Sequence, residues 1–203
     1  TPTDAHVAME DLERSARAVI TFLRHDAGIP HVSLLPSLQL LTVLARFFHR
    51  HHEPHPRTRE LLARWVWRGA VAGAHDGAAS QTRRMLAATD SDEHTAAQLL
   101  LQDVPTSKLE SFDLTHYSFA RSHSKIHLLA LLDLKPLDLS SHEPVAPSSD
   151  DLARADGYKH LVRTILPRST VVHGGLADRI LHPATPSGIP AAIVACEDPV
   201  AEV

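Results

Sequence analysis

Four histidines fall within residues 47–56, FFHRHHEPHP, at positions 49, 51, 52 and 55. Neutral imidazoles are common transition-metal ligands, and a helix offers two of them at i, i+4 with a third donor from elsewhere. His51 and His55 have that separation, but Pro54 lies between them and Pro56 follows, so a continuous helix is ruled out. With Glu53, these imidazoles form at most a loose surface ligand set. The simpler reading is a polar helix end whose histidines sit near the negative pole of the helix dipole.

A second set of candidates lies near the C-terminus: His160 in YKHLVRTILP, and Asp178 and His182 in LADRILHP. A hydrolytic nuclease needs a histidine to deprotonate water and further His, Asn or Asp side chains to hold a divalent metal, Mg²⁺ or Mn²⁺, against the scissile phosphate. The residue types fit, while their spacing is not distinctive. Ser122, Ser124, Lys125 and His127 in RSHSKIHLL could supply a nucleophile and a base, but adjacency in sequence does not establish that geometry. HExxH, paired CxxC and phosphate-binding glycine loops are absent, so the sequence gives no support to a metalloprotease or P-loop reading.

Charge points to a third candidate. The formal net charge is −4, yet residues 42–85 hold eight Lys/Arg against three Asp/Glu, and residues 86–160 hold six against twelve. A polyanion would meet the first segment, where Arg57, Arg64 and Arg68 lie on the flank of a helix. The competing reading is a solvated helical face.

These residues must be positioned by helices. Residues 4–27 place Met9, Leu12, Ala16, Val19, Ile20 and Leu23 on one stripe, with Gly28 and Pro30 as terminators. The following segment, SLLPSLQLLTVLARFFHR, starts near Ser33 and Pro36, and Leu38, Leu41, Ala45 and Phe48 are expected to form its buried face. After the histidine tract, PRTRELLARWVWRGAVAGA predicts a helix with Leu61, Leu62, Trp65 and Val66 toward a core. QTRRMLAAT forms a short helix, and the next opens with Asp90 three residues before Glu93, like a capping box. SHSKIHLLALLDLKP is an apolar helix of about three turns. No stretch alternates long enough to predict a strand with assurance.

The expected fold class is therefore mainly α: a helical domain over 1–135, a Pro/Ser-rich connection over 136–150, and a small irregular C-terminal region over 151–203. Only nine of 203 residues are Phe, Trp or Tyr, so the core is aliphatic, consistent with helices. The single Cys196 excludes an internal disulfide framework and fits a reducing, cytoplasmic setting. No apolar run is long enough for a membrane span. The chain begins on Thr1 and reads as a piece of something longer.

Four stretches, FLRHDAGIPHVSLLPSLQLLTVLARFF, LLARWVWRGAVAG, HSKIHLLALLDLKPLDL and GGLADRILHP, resemble in that order the region following the ParB-like nucleotide-hydrolysing domain in bacterial restriction proteins of the GmrSD type, including SspE-like proteins. The resemblance spans residues 17–190. It implies antiphage defence: recognition of modified foreign DNA, nucleotide hydrolysis in the upstream domain, and cleavage by a terminal His-Asn-His-type nuclease. The upstream domain is an implied partner, and this chain is not expected to hydrolyse nucleotide itself. Two departures mark the C-terminal end. The family's nuclease has a proline three residues after its first histidine, where this chain has Arg163 after His160, and its usual Ala-Asn-Arg appears as Ala177-Asp178-Arg179. A degenerate nuclease-like end is expected, with DNA contact by Arg57, Arg64 and Arg68. The alternatives are an active metal-dependent DNA nickase, and a structural module for docking or homo-oligomerisation.

Overall fold

The computed structural model describes residues 2–76, 79–105, 122–135, 137, 143–144, 162–164 and 179–181. The protein is mainly α, as its composition predicts. The chain divides into two compact units, Thr1–Ser111 and Phe112–Val203. This division falls before the last described helix, and most of the 136–150 connection lies outside the described residues.

Among its described residues the first unit contains five α-helices. α1 runs over Pro2–His25 and carries Arg24 and His25 in its last turn, where cations complement the helix dipole. It stops because Gly28 takes φ +67°, a left-handed conformation that costs glycine no Cβ clash. The Ile29 N–H then returns to the Leu23 carbonyl at 2.7 Å, closing the terminal turn and burying Ile29. A 3₁₀ turn, Val32–Leu34, is capped by His31, whose Nδ1 accepts the Ser33 N–H.

α2 covers Gln39–Arg50. Its buried face is Leu40, Val43, Leu44, Phe47 and Phe48, which corrects the sequence expectation. Leu38 is exposed, and Leu41 and Ala45 are half-buried. Its apolar residues span about 200° of the circumference, from Val43 round to Ala45, and the buried face is the part of that arc centred near Leu40, while the expected face lay toward its other edge.

α3, Pro56–Val71, begins with Pro56 at its first position, where the missing N–H costs nothing. Leu61, Leu62, Trp65 and Val66 are all buried, as predicted. α4 covers Ala79–Ala88 and α5 covers Glu93–Gln102. The cap of α5 is Asp92, which accepts the Thr95 N–H at 3.1 Å; Asp90, expected in that role, instead meets Arg46 at 2.8 Å. α3 packs most extensively on α5, whose buried Ala96 and Ala97 permit close approach, and α1 packs on α2.

One close packing decision fixes the far end of α3. His75, 2% exposed, lies in a second 3₁₀ turn, Ala74–Asp76, and its Nε2 is 3.2 Å from the carbonyl oxygens of both Trp65 and Val66. Its ring occupies the space a side chain at residue 69 would need, which explains a glycine inside a helix.

In the second unit, α6 covers Ser122–Asp133, close to its predicted extent. Two three-residue strands, β1 (Val162–Thr164) and β2 (Arg179–Leu181), pair antiparallel with Val162 opposite Leu181. Periodicity did not announce them, since three residues carry too little alternation to read.

Candidate nucleic-acid interface

α3 positions the three candidate arginines. Residues 57, 64 and 68 are separated by seven and four, and at about 100° per residue they fall within about 40° of one another on the helix. The stripe borders the buried face, with Leu61 about 20° from Arg68 and Leu62 and Val66 across the helix. Arg57 and Arg64 are exposed and Arg68 is half-buried. Arg57 is held by Glu60 at 2.7 Å, a partner one turn along the same stripe. Arg64 and Arg68 have no carboxylate partner among the described residues.

Acids from elsewhere in the chain offset much of the basic excess seen in the sequence. Arg46 and Arg50 converge on Asp90 at 2.8 and 3.4 Å. The Arg46 hydrogen bond, joined by the charges of both arginines, holds the Asp90 carboxyl below its ordinary value. Arg59 pairs with Asp26 at 2.6 Å, and Arg84 with Asp103 at 3.2 Å. The Arg59 pair is structural: together with a 2.8 Å hydrogen bond from Trp67 Nε1 to the Ala27 carbonyl, it ties α3 to the end of α1. What remains for a polyanion on α3 is Arg64 and Arg68, with Arg57 shared with Glu60.

The histidine tract is resolved as helix ends. His51 ends α2, its N–H donating to the Phe47 carbonyl at 2.8 Å and its ring lying 4.8 Å from the Phe47 ring. His55 caps α3, its Nδ1 accepting the Arg57 N–H, while its own N–H donates to the Glu93 carboxylate at 3.1 Å. Glu93 also accepts from Thr58 Oγ1, so this one carboxylate joins the starts of α3 and α5. Sequence spacing could not reveal a partner 38 residues away. Among the described residues, no three His, Cys, Asp or Glu side chains gather as a metal site.

His160, Asp178 and His182 lie outside the described residues. In sequence, His160 stands two residues before β1, Asp178 directly before β2 and His182 directly after it. Ser124 and His127 are both buried on α6. Among the described residues no helix is long and apolar enough to cross a membrane.

Sequence reasoning missed an apolar cleft of about 340 Å³ between the C-terminal half of α1, the α1–α2 connection and α2. Val19, Ile20 and Leu23 form one wall, Ile29 and Val32 the end, and Leu41 the other wall. Its signal was the stripe on α1, which the sequence marks as an amphipathic face without saying what covers it. No protein-family model, no curated protein and no solved structure matches the chain.

Proposed function

We propose that this chain is a helical, DNA-contacting portion of a bacterial restriction protein of the GmrSD type, acting in the cytoplasm and coupled to an upstream nucleotide-hydrolysing domain. The observation that carries the reading is the single stripe of Arg57, Arg64 and Arg68 on α3, with Arg64 and Arg68 free of carboxylates among the described residues. The ordered resemblance of four sequence stretches supplies the biological setting. Guanidinium groups on such a stripe would meet successive phosphates, giving affinity that depends on salt and little on sequence.

The test is binding of the full chain to a fluorescent duplex across a salt titration. Log affinity should fall linearly with log salt, and Arg64→Ala with Arg68→Ala should lower that slope by about 2, roughly one per lost phosphate contact. Arg57→Ala should change it less, because Glu60 already offsets that charge. Affinity unchanged across the titration would overturn the reading.

The register of β1 and β2 favours a second reading. Val162 pairs with Leu181, so the strands that flank His160 and His182 in sequence are joined in one ladder. An active nickase would use His160 as base, with Asp178 and His182 at a divalent metal. It predicts plasmid nicking with Mg²⁺ or Mn²⁺ that disappears in His160→Ala.

A further inference from the structure

We infer that α1 is the contact surface of an antiparallel homodimer in which the exposed leucine and methionine of each copy fill the apolar cleft of the other. This inference stands independently of the DNA reading.

α1 is about 36 Å long and α2 about 18 Å, from their 24 and 12 residues. α2 therefore covers only part of α1. From residue 5 to residue 14 no α1 side chain is buried, and Met9 and Leu12 are 65% and 59% exposed. Residues 5, 9, 12, 16, 19 and 23 nonetheless keep the alternating four- and three-residue spacing of a coiled-coil seam. The same helix thus carries projecting apolar side chains on its first half and an open apolar cleft along its second.

A two-fold axis at Ala16 reconciles the two. It places residue 12 of one copy opposite residue 20 of the other, and residue 9 opposite residue 23. Leu12 and Met9 then enter the cleft beside Ile20, Leu23 and Leu41, while the small Ala16 lets the helices approach at the axis. The contact is isologous, so both clefts fill at once.

Charge selects the same orientation. Residues 2–13 contain Asp4, Glu10, Asp11 and Glu13 and no Lys or Arg. Residues 14–25 contain Arg14, Arg17 and Arg24 and no Asp or Glu. Antiparallel pairing sets each acidic half against a basic half, whereas parallel pairing stacks like on like; Arg14 and Arg17 already meet Asp11 and Glu13 of their own helix, so charge biases the orientation and the apolar contact holds it.

Sedimentation of the full chain over a range of concentrations tests this. A monomer–dimer equilibrium is expected, with Leu12→Glu and Ile20→Glu each shifting it to monomer. Both residues are exposed, so the helical circular-dichroism signal and melting temperature of dilute protein should stay unchanged, separating lost association from lost folding. In a Cys196→Ser background, Ala16→Cys should crosslink to itself on oxidation and Leu12→Cys should not. Monomer at every concentration, a dimer indifferent to both glutamates, or self-crosslinking through Leu12→Cys would overturn the inference.

Discussion

The apolar stripe of α3 is buried along its length, with Leu61, Leu62, Trp65 and Val66 closed over by α5 and its neighbours, whereas on the stripe of α1 only Val19 and Leu23 are buried and Met9, Leu12, Ala16 and Ile20 stay exposed. Both helices show similar amphipathic spacing. The difference lies in what faces them. α3 meets a helix whose Ala96 and Ala97 let it settle closely, while α1 is twice as long as the helix against which it lies. Periodicity specifies which face of a helix seeks cover; the length and small residues of its neighbour decide how much of that face is covered.

The comparison breaks most visibly by truncating one leucine on each side. Leu62→Ala, at a fully buried position, should cost about 3 kcal/mol of unfolding free energy, from lost transfer energy and the cavity left behind. Leu12→Ala should change the stability of dilute protein by less than about 0.5 kcal/mol, because its site is already wet. Urea denaturation of the two variants decides it. Equal costs would mean that the first half of α1 is covered.

The closed side can also be overfilled. A Cβ at residue 69 would overlap the His75 ring, so Gly69→Ala should destabilise by about 2 kcal/mol despite the better helix propensity of alanine. Combining it with His75→Ala should cost less than the sum of the single changes, since the second removes the obstruction. Strict additivity in denaturant melts would show that His75 does not set the spacing there.

The readable parts of the sequence were those governed by local chemistry. Pro54 and Pro56 placed the break between α2 and α3, Gly28 placed the end of α1, and the 61, 62, 65, 66 spacing placed the α3 core. The three arginines were legible as a stripe for the same reason. Their pairing was not: Glu60 is local to Arg57, but Asp26, Asp90 and Asp103 neutralise other arginines from distant segments. The phase of α2 was misread because Leu38, Leu41, Ala45 and Phe48 also fall in line, toward one edge of an apolar arc of about 200° whose other part is the buried one. Asp90 matched the capping spacing, yet the side chain of Asp92 reached the Thr95 N–H and Arg46 claimed Asp90. His75 looked like any loop histidine, and only the approach of its ring to Gly69 shows why both residues are needed.

Acid should separate the two regions with the smallest perturbation. Asp90 is held below the ordinary carboxylate value of 3.8 first by the Arg46 hydrogen bond, and Asp92 first by the Thr95 side chain and then its backbone N–H. A lowered folded pKa means that the unfolded chain takes up the proton first as pH falls. The contribution is therefore full above about 3.8 and lost as pH drops through the lower folded value. Both aspartates sit at the α4–α5 corner, so hydrogen exchange below that pH should quicken first in the opening turn of α5, ahead of the α1–α2 pair. Asp92→Ala should produce the faster exchange at neutral pH and remove its share of the acid dependence, while Asp92→Asn, which keeps a capping oxygen, should remain protected at both. Faster exchange in α1 before α5 would reverse the ranking of the two regions, making the half-covered helix the first to open.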